Sequence, residues 1–197
     1  VDRAIAWLER NFSVHNNPGP IREQRWLLYY LYGIERTGRM TARRFIGEHD
    51  WYREGADMLT RRQDNLSGFW KGTGIGEEHP HVGTGLALLF LAKGRRPVLI
   101  AKLKHGPGDD WNHHRSDLAN LTSYVEKAWH RDLTWQVIDP KAAGVDDLLQ
   151  APVLFINGRD APQFTAEEKR NLRDYVDRGG FIFAEACCGG GTFDLGF

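Results

Sequence analysis

The chain is short of cysteine, of long apolar runs and of net charge, and each shortage removes a class of protein. Its 197 residues hold two cysteines, Cys187 and Cys188, which are adjacent. Neighbouring cysteines supply no cross-linked framework, so stability must come from packing, and the redox compartment stays open. No run approaches the roughly 18 to 20 apolar residues of a membrane-spanning helix, so no membrane span is expected within the chain. Lys and Arg number 26 and Asp and Glu 26, a formal net charge of +0. The halves differ: residues 1–96 carry 15 basic against 11 acidic groups and residues 97–197 carry 11 against 15, or +4 and −4. That split favours two units and leaves no concentrated basic face for a nucleic acid. Glycines 189–191 have neither the GxGxxG strand-to-helix arrangement nor a Walker lysine, which counts against a nucleotide, although they could offer backbone donors to an anion. Val1-Asp2-Arg3-Ala4 has neither Met nor a signal pattern, so the chain reads as a piece of a larger polypeptide.

What is present begins as helix. Ile5, Leu8 and Phe12 recur at helical spacing with Trp7 beside them, and Asn16 to Pro20 break the run. Residues 22–37 place Trp26, Tyr29, Tyr30 and Ile34 on one face, with Leu27 and Leu31 beside it and Gly38 as the stop. Asp50 precedes Trp51 as the cap of a third helix reaching Gln63, and a fourth is expected from Val82 to Lys93, ending at Gly94. Four helices without an intervening strand predict two successive helical hairpins. His79 and His81 flank Pro80, but two histidines in a Gly/Pro-rich loop with no third ligand read as solvated.

Gln63, followed after a short spacer by Gly68 and Trp70, resembles the QW motif of the squalene-cyclase and prenyltransferase-like α/α toroids. Tyr29 to Arg36 and Asp50-Trp51-Tyr52 are similar to helix pairs of the same superfamily. The resemblance implies a structural role for Gln63, Gly68 and Trp70, tying neighbouring helices together. The DxDD acid motif of the cyclases is absent. Four helices are too few to close a ring, so residues 1–96 are expected to be the C-terminal part of a larger toroid-like domain.

After Arg96 the period becomes strand-like. Residues 97–103 predict a strand; a helix follows over 116–129, a strand over 134–138, a short helix over 145–149 and a strand over 152–156. Thr165 and Glu168 have capping-box spacing and open another helix, and Phe181–Ala186 closes the series as an expected central strand. Alternation at this spacing argues for a mainly parallel, three-layer α/β sheet, whose ligands sit at the carboxyl ends of the strands. The residues expected there are Lys104, His105, Asp109, Asp110, Trp111, Asp139, Asn157, Arg159, Asp160, Cys187 and Cys188.

Several spaced blocks in this half (Ile100–Gly106, Gly108–Trp111, Asp117–Leu121, Ala151–Gly158 and Leu172–Gly180) resemble an uncharacterised bacterial family, the domain of unknown function 4159. The resemblance implies a fold related to class I glutamine amidotransferase-like proteins and, by family habit, a periplasmic or envelope location; it implies no established reaction. The expected fold is therefore multidomain, α plus α/β: toroid-like helical hairpins over 1–96, then a flavodoxin-like three-layer α/β/α domain over 97–197, both incomplete.

Chemistry is weighed on the last strand. Amidotransferases carry their nucleophile on Gly-x-Cys-x-Gly, where the small leading residue lets a strained turn form. Aligning Cys187 puts Glu185 at the leading position, which crowds the turn and raises a nearby thiol's pKa. Cys187 is thus either a catalytic nucleophile or part of a structural turn. Asp109 and His113 would share a helical face and are the candidate metal ligands, although Asp-rich loops also serve as helix caps; neither a metal nor another cofactor is expected. The leading expectation is a non-catalytic envelope protein holding a small molecule or protein partner at the strand-end cleft. The alternatives are a cysteine-dependent hydrolase or amidotransferase using Cys187, and a purely structural module.

Overall fold

The computed structural model describes residues 2–19, 23–92 and 96–197, in two compact units, Val1–Arg95 and Arg96–Phe197. The first unit contains α1 (Asp2–Asn11), α2 (Leu27–Thr41), α3 (Trp51–Arg62) and α4 (Pro80–Leu91). Helical spacing brings Leu27, Leu31, Ile34, Trp51, Leu59 and Phe90 into one core in which each is almost wholly buried. Phe90 meets Trp51 edge-on at 6.0 Å between centroids and stacks on Tyr52 at 5.7 Å. Asp50 caps α3 by accepting the Arg53 N–H at 3.0 Å, and its carboxylate also pairs with the nearly buried Arg44.

Two expectations change here. The buried stripe of α2 is Leu27, Leu28, Leu31 and Ile34, while Trp26 and Tyr29 are exposed. Gly38 does not stop α2, which runs on to Thr41 with Ala42 as a left-handed cap at φ 53°. The glycine serves packing instead: a Cβ there would lie 2.3 Å from Cζ2 of Trp51. The expected start of α2 at Arg22, the Pro20 end of the first break and the expected stop of α4 at Lys93-Gly94 lie outside the described residues. Of the QW-like residues, Gln63 donates from Nε2 to the Gly68 carbonyl at 3.0 Å, Gly68 has φ +71°, and buried Trp70 donates from Nε1 to the Leu59 carbonyl at 2.7 Å.

The second unit alternates β1 (Val98–Leu103), α5 (Asp117–Trp129), β2 (Thr134–Ile138), α6 (Val145–Leu148), β3 (Val153–Gly158), α7 (Ala166–Asp177), β4 (Phe181–Ala186) and α8 (Gly191–Gly196). The strands form one four-stranded sheet of order β2-β1-β3-β4, parallel at every pairing. This is an α/β arrangement, as the alternation predicts. The Thr165–Glu168 capping box is made in both directions, at 3.2 and 2.7 Å.

Successive side chains of a strand point to opposite faces, so consecutive buried residues mean that both faces are covered. β1 from Ile100 and β3 from Leu154 meet that description. Leu118 of α5 packs with Ile100 and Phe155 on one face. β4 lies at the edge of this sheet and not at its centre, which corrects the expectation from its apolar sequence. Its residues alternate between exposed and half-buried, and Phe181 and Phe183 are exposed. β3 continues two residues beyond the expected end because Asn157 and Gly158 keep pairing, with Glu185 and Ala186. Since all four strands run the same way, their carboxyl ends share one edge of the sheet.

Candidate functional site

Four segments leave that edge, and three of them build the site: the segment after β1, the turn after β3 and the turn after β4. The first contains a 3-10 turn over Asp110–Asn112. Asp110 ties it to the second by accepting the backbone N–H groups of Arg159 at 3.1 Å and Asp160 at 3.2 Å, and it also meets His113 Nε2 at 2.9 Å. Gly158 makes room for this carboxylate; a Cβ there would stand 2.6 Å from Asp110 Oδ2. Burial alone would raise the Asp110 carboxyl, but the N–H donors of Arg159 and Asp160 and the His113 ring outweigh it and hold the group below its ordinary value.

Around this tie lies a cavity of about 560 Å³ lined by Asp109, Asp110, His113, Arg159, Asp160, Gly190 and Thr192. Four of the expected cleft residues therefore come together: Asp109, Asp110, Arg159 and Asp160. Lys104 and Asp139 instead pair with one another at 2.9 Å. His105 is buried and donates from Nε2 to the Asn157 carbonyl at 2.7 Å. Asn157, only 1% exposed, has both side-chain amide atoms buried without a protein partner. Trp111 is buried. Of the candidate metal ligands, Asp109 and His113 both line the cavity; His113 meets Asp110 at 2.9 Å, and Asp109 lies 4.0 Å from Arg115.

Lys102 was not among the expected site residues, yet it organises this region. Its Nζ is buried and donates to Asp117 Oδ2 at 2.6 Å, Asn112 Oδ1 at 3.1 Å and the His114 carbonyl at 3.0 Å. The rings of Trp111 and Phe155 lie 5.9 Å from the same nitrogen. A buried ammonium needs such compensation, and the acceptors fix the path of the chain from Asn112 to Asp117. The signal in the sequence is a lysine inside an otherwise apolar strand, between Ala101 and Leu103.

The turn after β4 separates the two cysteines. Cys187 is buried, and its thiol is pushed up to about 11 by that burial first, then by Cys188 and Glu185, with Arg159 opposing. Both features weigh against Cys187 as a nucleophile. Cys188 is exposed and sits in the left-handed region at φ 55°, ψ 31°. Its Sγ lies 3.1 Å from that of Cys187 and 3.4 Å from Nε2 of His114, in the segment held by Lys102.

The family described as Domain of unknown function (DUF4159) matches residues 99–197. No curated protein and no solved structure matches the chain. The family match covers the whole sheet but for the first residue of β1, together with every segment of the strand-end site, and spans just over half of the 197 residues; the chain therefore belongs to the DUF4159 family, a domain of unknown function.

Proposed function

We propose that residues 97–197 bind a small polar ligand, without turning it over, in the cavity at the carboxyl edge of the sheet. The observation that carries this reading is the set of charges around the cavity. Asp110 is occupied by backbone donors and His113, and Asp109 has Arg115 at 4.0 Å, which leaves chiefly the carboxylate of Asp160 and the guanidinium of Arg159, with Asp109 beside them, to face an occupant. Carboxylates beside a guanidinium suit a zwitterion, its ammonium toward the acids and its carboxylate toward the arginine, as in an amino acid or a peptide end. In this reading the domain is flavodoxin-like and related to the amidotransferases in fold alone. The helices of residues 1–96 belong to a toroid-like array, and both are parts of a larger envelope polypeptide.

The test is ligand-observed magnetic resonance with free glutamate, diaminopimelate and glycylglycine as probes, in the presence of a chelator. Saturable binding of at least one probe, lost in Arg159→Ala and weakened in Asp160→Asn, is expected. Absence of saturable binding by all three, or turnover of any of them, would overturn the proposal.

A further inference from the structure

Among the described residues, one group of three or more His, Cys, Asp or Glu side chains is close enough to share a metal ion. It is His114, Cys187 and Cys188, whose ligand atoms all lie within 4.8 Å of one another. We infer that these residues form a Cys2His site for a divalent zinc-like ion, with a fourth position open to water or a ligand. This inference is independent of the ligand proposed for the neighbouring cavity.

The geometry is near what such an ion requires. With metal–sulfur bonds of about 2.3 Å and metal–nitrogen bonds of about 2.05 Å, tetrahedral angles set S···S at about 3.8 Å and S···N at about 3.5 Å. The Cys188–His114 separation of 3.4 Å is close to this, the thiols at 3.1 Å need to open by about 0.7 Å, and Cys187 and His114 lie within 4.8 Å of one another.

The donors also come ready placed. Lys102 grips the His114 carbonyl, the 3-10 turn after β4 buries Cys187, and Cys188, in the left-handed region, has its thiol 3.1 Å from that of Cys187 and 3.4 Å from the His114 ring. On the charge side, two thiols lose their protons to solvent as two metal–sulfur bonds form. The resulting pair of thiolates and neutral imidazole balance a dication. Softness selects the ion, because two sulfurs and an imidazole suit zinc and not magnesium or calcium. A disulfide is the poorer use of this pair. Adjacent residues have Cα atoms about 3.8 Å apart, below the roughly 4.4 Å at which ordinary disulfides begin.

The experiment is titration of the reduced full chain with Co2+ as a spectroscopic probe, followed by displacement with Zn2+. One equivalent of Co2+ is expected to produce sulfur-to-cobalt charge transfer with tetrahedral visible bands, and Zn2+ to abolish both. Cys188→Ala should remove about half of the charge-transfer intensity and weaken binding at least tenfold. His114→Ala should keep the charge transfer while weakening binding about tenfold or more. Both positions are exposed, so the variants should fold, which circular dichroism checks. No charge transfer in the parent, or charge transfer unchanged in Cys188→Ala, would overturn the site. So would alkylation of Cys188 that is faster than that of a free cysteine and not slowed by equimolar Zn2+, which would make Cys188 a nucleophile instead.

Discussion

Replacing Lys102 by methionine tests the centre of the strand-end region, because the change keeps the side chain's length and removes its charge. Three acceptors lose their donor together: Asp117 at 2.6 Å, the His114 carbonyl at 3.0 Å and Asn112 at 3.1 Å. Removing one partner of a buried ion pair costs about 3–5 kcal/mol, most of it the penalty on the charge left behind. The Asp117 side chain is 20% exposed, so water relieves part of that penalty and the low end, about 3 kcal/mol, applies. At 1.4 kcal/mol per tenfold, the opening equilibrium of the second unit should shift by about two orders of magnitude.

Hydrogen exchange read by mass spectrometry on β1 and β3 peptides isolates this unit from the helices of the first. Amides of β1 and β3 that exchange through global opening should exchange about 100-fold faster in Lys102→Met. The double variant Lys102→Met/Asp117→Leu, which leaves no unpaired charge, should recover most of the loss. A rate change below threefold in the single variant, or losses that simply add in the double variant, would refute the claim that Lys102 is held as a buried, compensated cation.

Asp110→Asn addresses the tie between the segments after β1 and β3. Because the folded carboxyl lies below its ordinary value, its contribution to stability is full above about pH 4 and is lost as pH falls through the folded value. The parent's urea midpoint should therefore fall more steeply than the variant's between about pH 5 and pH 2, and parallel curves would show that the carboxylate makes no such contribution. In the first unit, Trp70→Phe removes the N–H that serves the Leu59 carbonyl at 2.7 Å in a buried setting, together with part of the indole's bulk. A loss of at least about 1–3 kcal/mol in calorimetric unfolding is expected; an unchanged transition would mean that this hydrogen bond contributes nothing to stability.

The order of helices and strands was legible because each follows a local period or a local cap. Asp50 accepts the Arg53 N–H, Thr165 and Glu168 close their box, and Thr134–Ile138 is a strand over the expected residues. What was not legible depends on partners distant in sequence. Gly38 reads as a stop until Trp51, thirteen positions on, is seen lying against it. Phe181–Ala186 reads as central because it is apolar, but a strand's place in a sheet is set by which strands flank it, and β4 pairs with β3 alone here.

The same distinction bears on the two cysteines. Seen along the chain, Cys187 is the first thiol after a strand, and only its immediate neighbours bear on its reactivity. In space, the 3-10 turn after β4 buries Cys187, while the left-handed backbone at Cys188 leaves that residue exposed, with its thiol against a histidine 74 residues away. That histidine is in place because Lys102, on another strand, holds its carbonyl. A lysine in an apolar strand is thus the mark in the sequence of how the segment after β1 is held. Its buried charge demands acceptors, those acceptors fix the segment from Asn112 to Asp117, and that segment carries His114 to the two thiols. The chemistry of Cys188 is in this sense decided on β1, and a change at Lys102 should disturb the thiol–imidazole pair without touching either residue.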